Sequence, residues 1–593
     1  MRPLNAILAA VLLLEQSLSP AAAAAGSAPE IKNPDTFVYA AISEADSIDP
    51  AWSYDTASHL LILNIYEPLF MYDKSSTEKL VPMVAAEVPS LANGLISKDG
   101  RIYEIPIRKG IKFHDGTEMT PEDVKYSLMR FLLQDRAAGP SSLLLEPLLG
   151  YPATRDENGK LNENAFKDAD RAIQIKGGRL ILRLPAPYAP LLSILASWAP
   201  VLPRAWAAAN GAWDGSEATW AKHNNPTKEN SPFFERSNGT GPWKLARWDR
   251  QTKEVILERN DGYWRKPAKL KRVIIKSINE FGTRKLMLKA GDVDAIYATA
   301  PEYSQLTGME GVQLIEDLAP IQMNPVAYFT FKISTAANPN IGSGRLDGYG
   351  IPNDFFADIN VRKAFAYSID YKGYIKDVFR GKGTQATGCI PKTLPGHNPK
   401  QKTYAYDLAK AQAHFKKAWG GQVWEKGFKF TLTYNIGNAY RQTLCQMMKR
   451  AVESLNSRFQ IDVRPVEWPT FLDNYKNSKL PIFVMGWSAD FPDAHNFAFP
   501  LMHSKGDYPV TQKYSNPDAD RLVEAARSET DPGKRKKIYA DLLALEHEEV
   551  PHIVTVESTL FRTQRQWMKG FYHNPVWPDS PYGSYFYSLW KAQ

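Results

Sequence analysis

The sequence predicts an α/β protein whose domains are folded through one another. Short runs of β-branched and aromatic residues alternate along the chain with apolar residues at helical spacing. The length of 593 residues leaves room for about three or four domains. No low-complexity linker and no short repeat divides the chain into separate units.

Thr36 to Ile42 (TFVYAAI) is the first expected strand. Arg101 to Ile107 (RIYEIPI) is another, and Asp99-Gly100 just before it is a hairpin turn signal. Leu180 to Leu184, Glu254 to Glu258 and Arg272 to Ile278 follow as strands. Helices fall between them. Thr120-Pro121-Glu122-Asp123 supplies a cap, a first-turn proline and early acids, and Val124, Leu128 and Phe131 form one stripe. Asp407 caps a second helix with Leu408, Ala411, Phe415 and Ala418 on one face, and Gly420 is its stop. A longer helix runs from about Asn438 to Asn456, its buried face expected at Leu444, Met448, Ala451 and Leu455. Gln460 to Pro465 and Pro481 to Trp487 are the strands after it.

Composition excludes several classes. Hydrophobic residues make up 44% and charged residues 23%, ordinary for a globular core and wrong for a disordered or collagen-like chain. The net charge of +8 is spread over the whole chain with acids interleaved. Nucleic-acid binding calls for a concentrated basic stripe, so no nucleic-acid partner is expected.

Met1-Arg2, the apolar run Ala6 to Leu14 and the small residues Ala21 to Ala25 follow the layout of a secretory signal peptide, interrupted only by Glu15. Cleavage is expected near Ala25. No later stretch reaches 18 uninterrupted apolar residues. With no cysteine near the cleavage site to carry a lipid, the expected location is the periplasm. The only cysteines, Cys389 and Cys445, are read as two separate thiols or one optional bridge.

Catalytic signatures are missing. There is no Gly-x-Ser-x-Gly, no Walker loop and no dinucleotide glycine fingerprint. His547 to His552 has the wrong spacing for a zinc helix, and Pro551 interrupts it. No catalytic residue, metal or cofactor is therefore assigned. What stands out is Trp468, Trp487 and Phe491 near strand ends, since aromatic rings give large, stiff contact area, although a single tryptophan is more often core. Asp490 lies three residues past an expected strand, where α/β sheets collect ligands. Two readings of it stay open: partner of a cationic group, or organiser of the turn before Pro492-Asp493.

Six segments in register resemble the family 5 extracellular solute-binding proteins of ABC importers, the dipeptide- and oligopeptide-binding group. They are Tyr66-Glu67-Pro68-Leu69-Phe70; Asp99 to Tyr103 running through Arg108 to Gly116 into Thr120 to Val124; Gly239 to Trp243 with Glu258 to Asn260 and Tyr263-Trp264; Asp358 to Ala364 with Ile369-Asp370; Ile390-Pro391 with Pro395-Gly396; and Glu467-Trp468 to Asp473 with Gly486 to Asp490 and Asn496-Phe497. The resemblance implies a bilobed periplasmic-binding-protein-like fold of type II with an extra domain, three domains in all. One lobe would comprise residues 26–80, 185–300 and 553–593, the extra domain 81–184, and the other lobe 301–552. A peptide or other small-molecule ligand and an inner-membrane ABC permease are the implied partners of a monomer.

The resemblance also assigns roles. Asp490 matches the carboxylate that pairs with a peptide's α-ammonium. Trp487, Ser488 and Ala489 match the strand beside the bound peptide, where backbone groups bond by strand addition. Trp468, Leu472, Tyr475 and Lys476 match pocket-lining positions. Dipeptide binders carry an arginine before the long helix, where this chain has Tyr434 to Asn438. Asn435 takes that place, and the nearest arginine, Arg441, lies within the helix, which puts a bidentate carboxylate clamp in doubt. The loop Thr335 to Asn353 is longer than usual, and either reshapes the cleft or is inert surface. Relatives with this fold bind nickel chelates, haem, opines, oligosaccharides or modified peptides, so a non-peptide ligand is the alternative. A metal-chelate ligand would want His495 or His503, which are expected at the surface. An exported hydrolase, needing two carboxylates across the cleft, and a periplasmic chaperone, needing an exposed apolar patch, are the readings from other classes.

Overall fold

A computed structural model describes residues 31–592 except 157 and 530. The expected signal peptide, 1–25, lies outside the described residues.

Two large sheets and one small one organise the chain. The largest has seven strands in the order Val312–Leu318, Leu560–Arg565, Ala295–Ile296, Thr36–Ala41, Arg272–Ser277, Glu254–Arg259 and Trp243–Asp249. Thr36–Ala41 lies at its centre, parallel to both neighbours, and is buried along its whole length. Such a strand is mostly apolar because both its faces are covered. The second sheet has five strands, Phe459–Val466, Phe428–Asn435, Ile482–Ser488, Gln322–Phe329 and His552–Val554. The third, Ile102–Pro106, Arg179–Arg183 and Ile173–Lys176, is antiparallel and is packed by helices Pro121–Gln134 and Ala165–Ala172. The result is the bilobed α/β architecture with an extra domain.

Local chemistry sets the element ends. Thr120 and Asp123 close a reciprocal capping box at the start of Pro121–Gln134. Gly100 takes a left-handed φ of 67° in the turn between Ile96 and Tyr103. Asp407 caps Leu408–Lys417, which ends before Gly420; Trp419 and Gly420 are both left-handed there.

The long helix runs Ala439–Glu453, and its buried face is Tyr440, Arg441, Leu444, Cys445, Met448 and Val452. Ala451 and Leu455 are only half-buried, unlike the expected stripe. The sheet of Phe428–Asn435 and Phe459–Val466 selects a face rotated slightly from it. Val312–Leu318 pairs with Leu560–Arg565, so the large sheet extends past the boundary expected at residue 300. The chain crosses to the five-stranded sheet only between Leu318 and Gln322, and leaves it after Val554. Cys389 and Cys445 are buried free thiols in two different core clusters.

The long loop is not part of the cleft. Asn338 ties it to the carbonyls of Ser334 and Lys479, and Ile341 and Ile351 sink into the core beneath it. His495 and His503, expected at the surface, are 3% and 4% exposed. His495 meets the buried Glu146 at 3.0 Å from its Nε2, and His503 is covered by the Phe499 ring stacked 4.7 Å from it, with the exposed Glu524 at 3.4 Å from its Nε2.

Candidate functional site: a cleft between the two large sheets

The carboxyl ends of strands from both large sheets face a shared cleft of about 1740 Å³, its open mouth included. Ile42 to Ala45, Ser277 and Tyr297 come from the seven-stranded side. Asn435 and Ser488 to Asp490 come from the five-stranded side. Strand ends gather ligands because loops there diverge and leave a crevice. Ten residues expected from the sequence line this one cleft, namely Asn435, Arg441, Trp468, Leu472, Tyr475, Lys476, Trp487, Ser488, Ala489 and Asp490, whereas Phe491, singled out with Trp468 and Trp487, is buried in the core.

Asp490 is 7% exposed. Its Oδ2 accepts 2.8 Å from Asn496 Nδ2 and 2.9 Å from Tyr54 Oη. No lysine, arginine or histidine lies within ion-pair distance of it among the described residues. Burial therefore pushes its carboxyl up to about 7, against the lowering effect of Asn496 and Tyr54. Asp490 also organises the turn that follows, its N–H donating 2.7 Å to Asn496 Oδ1, and Asp493 helps by accepting from the His495 N–H at 2.8 Å.

The strand beside Asp490 is half open. Ile482–Ser488 pairs with Phe428–Asn435 only as far as Val484. On its other edge it stays paired with Gln322–Phe329 up to Ser488. The stretch from Met485 to Ser488 thus has a neighbour on one side and the cleft on the other. Its side chains are mostly turned to protein: Trp487 is 7% exposed and its indole N–H donates 2.7 Å to the Asn496 carbonyl.

Helix Trp468–Lys476 forms a wall. The Trp468 indole donates 3.1 Å to Asp55 Oδ1, across the cleft. Tyr475 Oη donates 2.6 Å to Asp507 Oδ2, and burial holds Asp507 up at about 6. Lys476 Nζ lies 3.4 Å from Asp46, and burial with the nearby Arg136 charge lowers its ammonium to about 8. The Arg441 guanidinium is bound by amides rather than acids. Nη1 donates 2.8 Å to Asn435 Oδ1, and Nη2 and Nε donate 2.9 and 3.2 Å to Asn324 Oδ1. A guanidinium has five N–H groups, so one on each terminal nitrogen stays uncommitted.

Several lining residues were not singled out from the sequence: Tyr54, Trp198, His59, Asp507, Asp579 and Tyr582. Tyr54 packs edge-on against both Trp198 and Trp487, at 5.3 and 5.5 Å. His59 Nε2 donates to the Ser197 carbonyl at 2.9 Å, and burial lowers its pKa to about 4, so it is neutral at ordinary pH. These residues come from remote chain segments, and only the fold places them beside Asp490.

The two walls touch. Tyr54–Asp490, Trp468–Asp55, Lys476–Asp46 and Lys253–Glu467 all cross between them, the last at 2.8 Å. The arrangement is that of a closed clamp. No helix among the described residues is long and apolar enough to cross a membrane.

Residues 79–509 match the family model described as bacterial extracellular solute-binding proteins, family 5, middle. The chain is 25% identical over 465 residues to the oligopeptide-binding protein OppA of Bacillus subtilis (77% of this chain, 76% of the relative). It is 25% identical over 605 residues to heme-binding protein A of Haemophilus influenzae (97% of each). The structure of the oligopeptide-binding protein AppA of Bacillus subtilis in complex with a nonapeptide superimposes with a TM-score of 0.74 at 21% identity, covering 95% of this chain and all of the other. With the matched model spanning most of its length and both lobes in place, this chain belongs to the family 5 bacterial extracellular solute-binding proteins.

Proposed function

We propose that this protein is the periplasmic binding component of an ABC importer for peptides. An open form admits a peptide between the lobes, closure buries it, and the closed complex docks on an inner-membrane permease. The ligand leaves unaltered.

The observation that carries the peptide reading is the juxtaposition at Asp490. A buried carboxylate without an ion-pair partner among the described residues stands at the end of a strand whose Met485–Ser488 edge is open to the cleft. A peptide supplies an α-ammonium for the acid and backbone N–H and C=O groups for the edge, where the Gly486 carbonyl already accepts 2.7 Å from Tyr508 Oη. Backbone pairing makes the grip independent of sequence, and wall groups such as Trp468 and Tyr475 read side chains. The uncommitted N–H groups of Arg441 suit a ligand carboxylate. Desolvation on closure strengthens each of these charge pairs, which biases the equilibrium toward the closed state only when ligand is present.

The test is to export the protein, denature it and identify the released ligand by mass spectrometry, then titrate the folded, emptied protein with a defined tri- to pentapeptide mixture. Release of peptides and saturable calorimetric binding are expected. A released haem, metal chelate or saccharide, with no heat from the peptide mixture, overturns the proposal.

A further inference from the structure

A second acidic locus lies in the same cleft, on the wall of the seven-stranded sheet. Asp579 lines it, and no side-chain hydrogen bond or ion pair within 4 Å engages its carboxylate among the described residues. Its nearest cation, Arg562, commits two of its nitrogens elsewhere, Nη1 donating to the carbonyl of Tyr582 at 2.7 Å and Nε to Gln564 at 2.7 Å, and its Nη2 forms no hydrogen bond among the described residues. Asp55, on the same wall, accepts at Oδ1 from Trp468 and Ser58, while its Oδ2 is buried without a partner. Two tyrosines flank these acids. Tyr39 and Tyr582 are 2% and 6% exposed, line the cleft, and have hydroxyls with no hydrogen-bond partner. The Tyr39 hydroxyl is aimed at the Asp579 carboxylate, and its interaction there opposes the effect of burial on that acid.

Buried polar groups are normally satisfied, and leaving several open in one place is costly. Two carboxylates are pure acceptors, and the two phenol hydroxyls can accept as well as donate, so together they complement a group with several N–H donors and a positive charge. Neutral partners would leave the acids uncompensated. The aromatic faces of Tyr297 and Tyr582, 4.2 Å apart between ring centres, add a surface for an alkyl stem or a cation. Burial lifts Asp579 to about 7 against the opposing Arg562 charge, as expected for an acid waiting on a counter-ion.

We infer that Asp579, Asp55, Tyr39 and Tyr582 form a second cation subsite, separate from Asp490, which takes a basic side chain or a second amine of the ligand. This rests on the peptide reading for its ligand class and narrows it: the preferred peptides carry a lysine- or arginine-like group in addition to the α-ammonium.

The test compares Lys-Ala-Ala, Ala-Lys-Ala and Ala-Ala-Lys with the same peptides carrying norleucine, which keeps the stem and drops the charge. The full chain is titrated calorimetrically at pH 7.5 alongside 1,5-diaminopentane and pentylamine. At least one lysine peptide is expected to bind more than tenfold tighter than its norleucine partner. Asp579→Asn is expected to abolish that preference, bringing the lysine peptide down to the affinity of its norleucine partner. Asp55→Asn, which keeps the bond to Trp468, is expected to reduce the preference and serves where Asp579→Asn fails to fold. Equal binding of lysine and norleucine peptides overturns the subsite and leaves the peptide reading intact. Binding of diaminopentane but of no peptide overturns the peptide reading and keeps the subsite. Failure of all probes overturns both.

Discussion

Tyr54 and Asp490 meet across the cleft, the phenol of one wall donating a 2.9 Å hydrogen bond to the carboxylate of the other. They are 436 residues apart in sequence, and the bond exists only when the lobes are together. It therefore ties the state of the clamp to the charge of its anchor.

Tyr54→Phe removes this bond and little else, because the ring keeps its edge-on contacts with Trp198 and Trp487. A hydrogen bond to a charged group contributes about 1.5 kcal/mol or more, so peptide affinity is expected to fall roughly tenfold. The dissociation rate should carry most of the change. Surface plasmon resonance measures both. An unchanged dissociation rate with a lowered thermal midpoint of the ligand-free chain would show instead that Tyr54 serves only the fold.

Affinity for an ammonium should depend on pH with a definite sign. The Asp490 carboxyl is raised to about 7 in the closed form, well above its ordinary value. Below pH 7 it carries a proton that an incoming ammonium must displace. Above pH 7 the acid is already charged. The dissociation constant of an alanine tripeptide, which has no basic side chain, should fall about tenfold per unit as pH rises from 5 to 7, then level. Calorimetry at pH 6 in two buffers of different ionisation enthalpy should count close to one proton released per peptide. Asp490→Asn should flatten the profile; a slope that survives it would assign the proton to another group.

How much of this was readable from the chain alone divides by range. The capping box at Thr120 and Asp123 and the strand Thr36–Ala41 depend on neighbours in sequence, and the sequence announces them. Ten cleft residues were also placed in advance, by resemblance to a family whose motif spacing this chain keeps. Tyr54, Asp507 and Asp579 were not, since a lone Tyr or Asp in a loop has no local signature and gains meaning only when a distant strand end is brought to it. His495 misled for the same reason, because Glu146, its buried partner, lies in a distant segment, and His503 because only the fold stacks it on Phe499. Helix Ala439–Glu453 turned its face slightly because the sheet beneath it, not its own period, chooses which side is covered.

Glu146 links the extra domain to the lobe of the five-stranded sheet. It accepts from His495 at 3.0 Å and from Arg527 at 2.6 Å. Burial alone would raise its carboxyl, but these two partners outweigh burial and hold it down at about 2. Removing one member of a fully buried ion pair costs about 3 to 5 kcal/mol, and the Arg527 side chain is 31% exposed, so Glu146→Gln is expected to cost about 2 kcal/mol in urea unfolding. A depressed carboxyl stabilises the fold above its ordinary pKa and loses that effect as pH falls through the folded value. The gap between wild type and variant should thus be full at pH 6 and shrink toward pH 2. A gap independent of pH would point to packing rather than charge.

Closure itself has a steric test at Gly437. This residue has a φ of 82°, and a β-carbon there would lie 3.0 Å from Ile42 Cβ and 3.3 Å from the Asn279 carbonyl, both on the opposite wall. Gly437→Ala therefore adds two costs: about 1 kcal/mol for a left-handed backbone, and a contact that exists only when the lobes close. Gly308 separates them, with a φ of 74° and open space around its would-be β-carbon, so Gly308→Ala bears the backbone cost alone. Both variants should lose similar stability in the open, ligand-free state. Only Gly437→Ala should also weaken peptide binding, by roughly tenfold, and shift the small-angle scattering of the peptide-saturated protein toward the larger radius of an open clamp. Equal affinities for the two variants would mean that the lobes close without bringing Ile42 against Gly437.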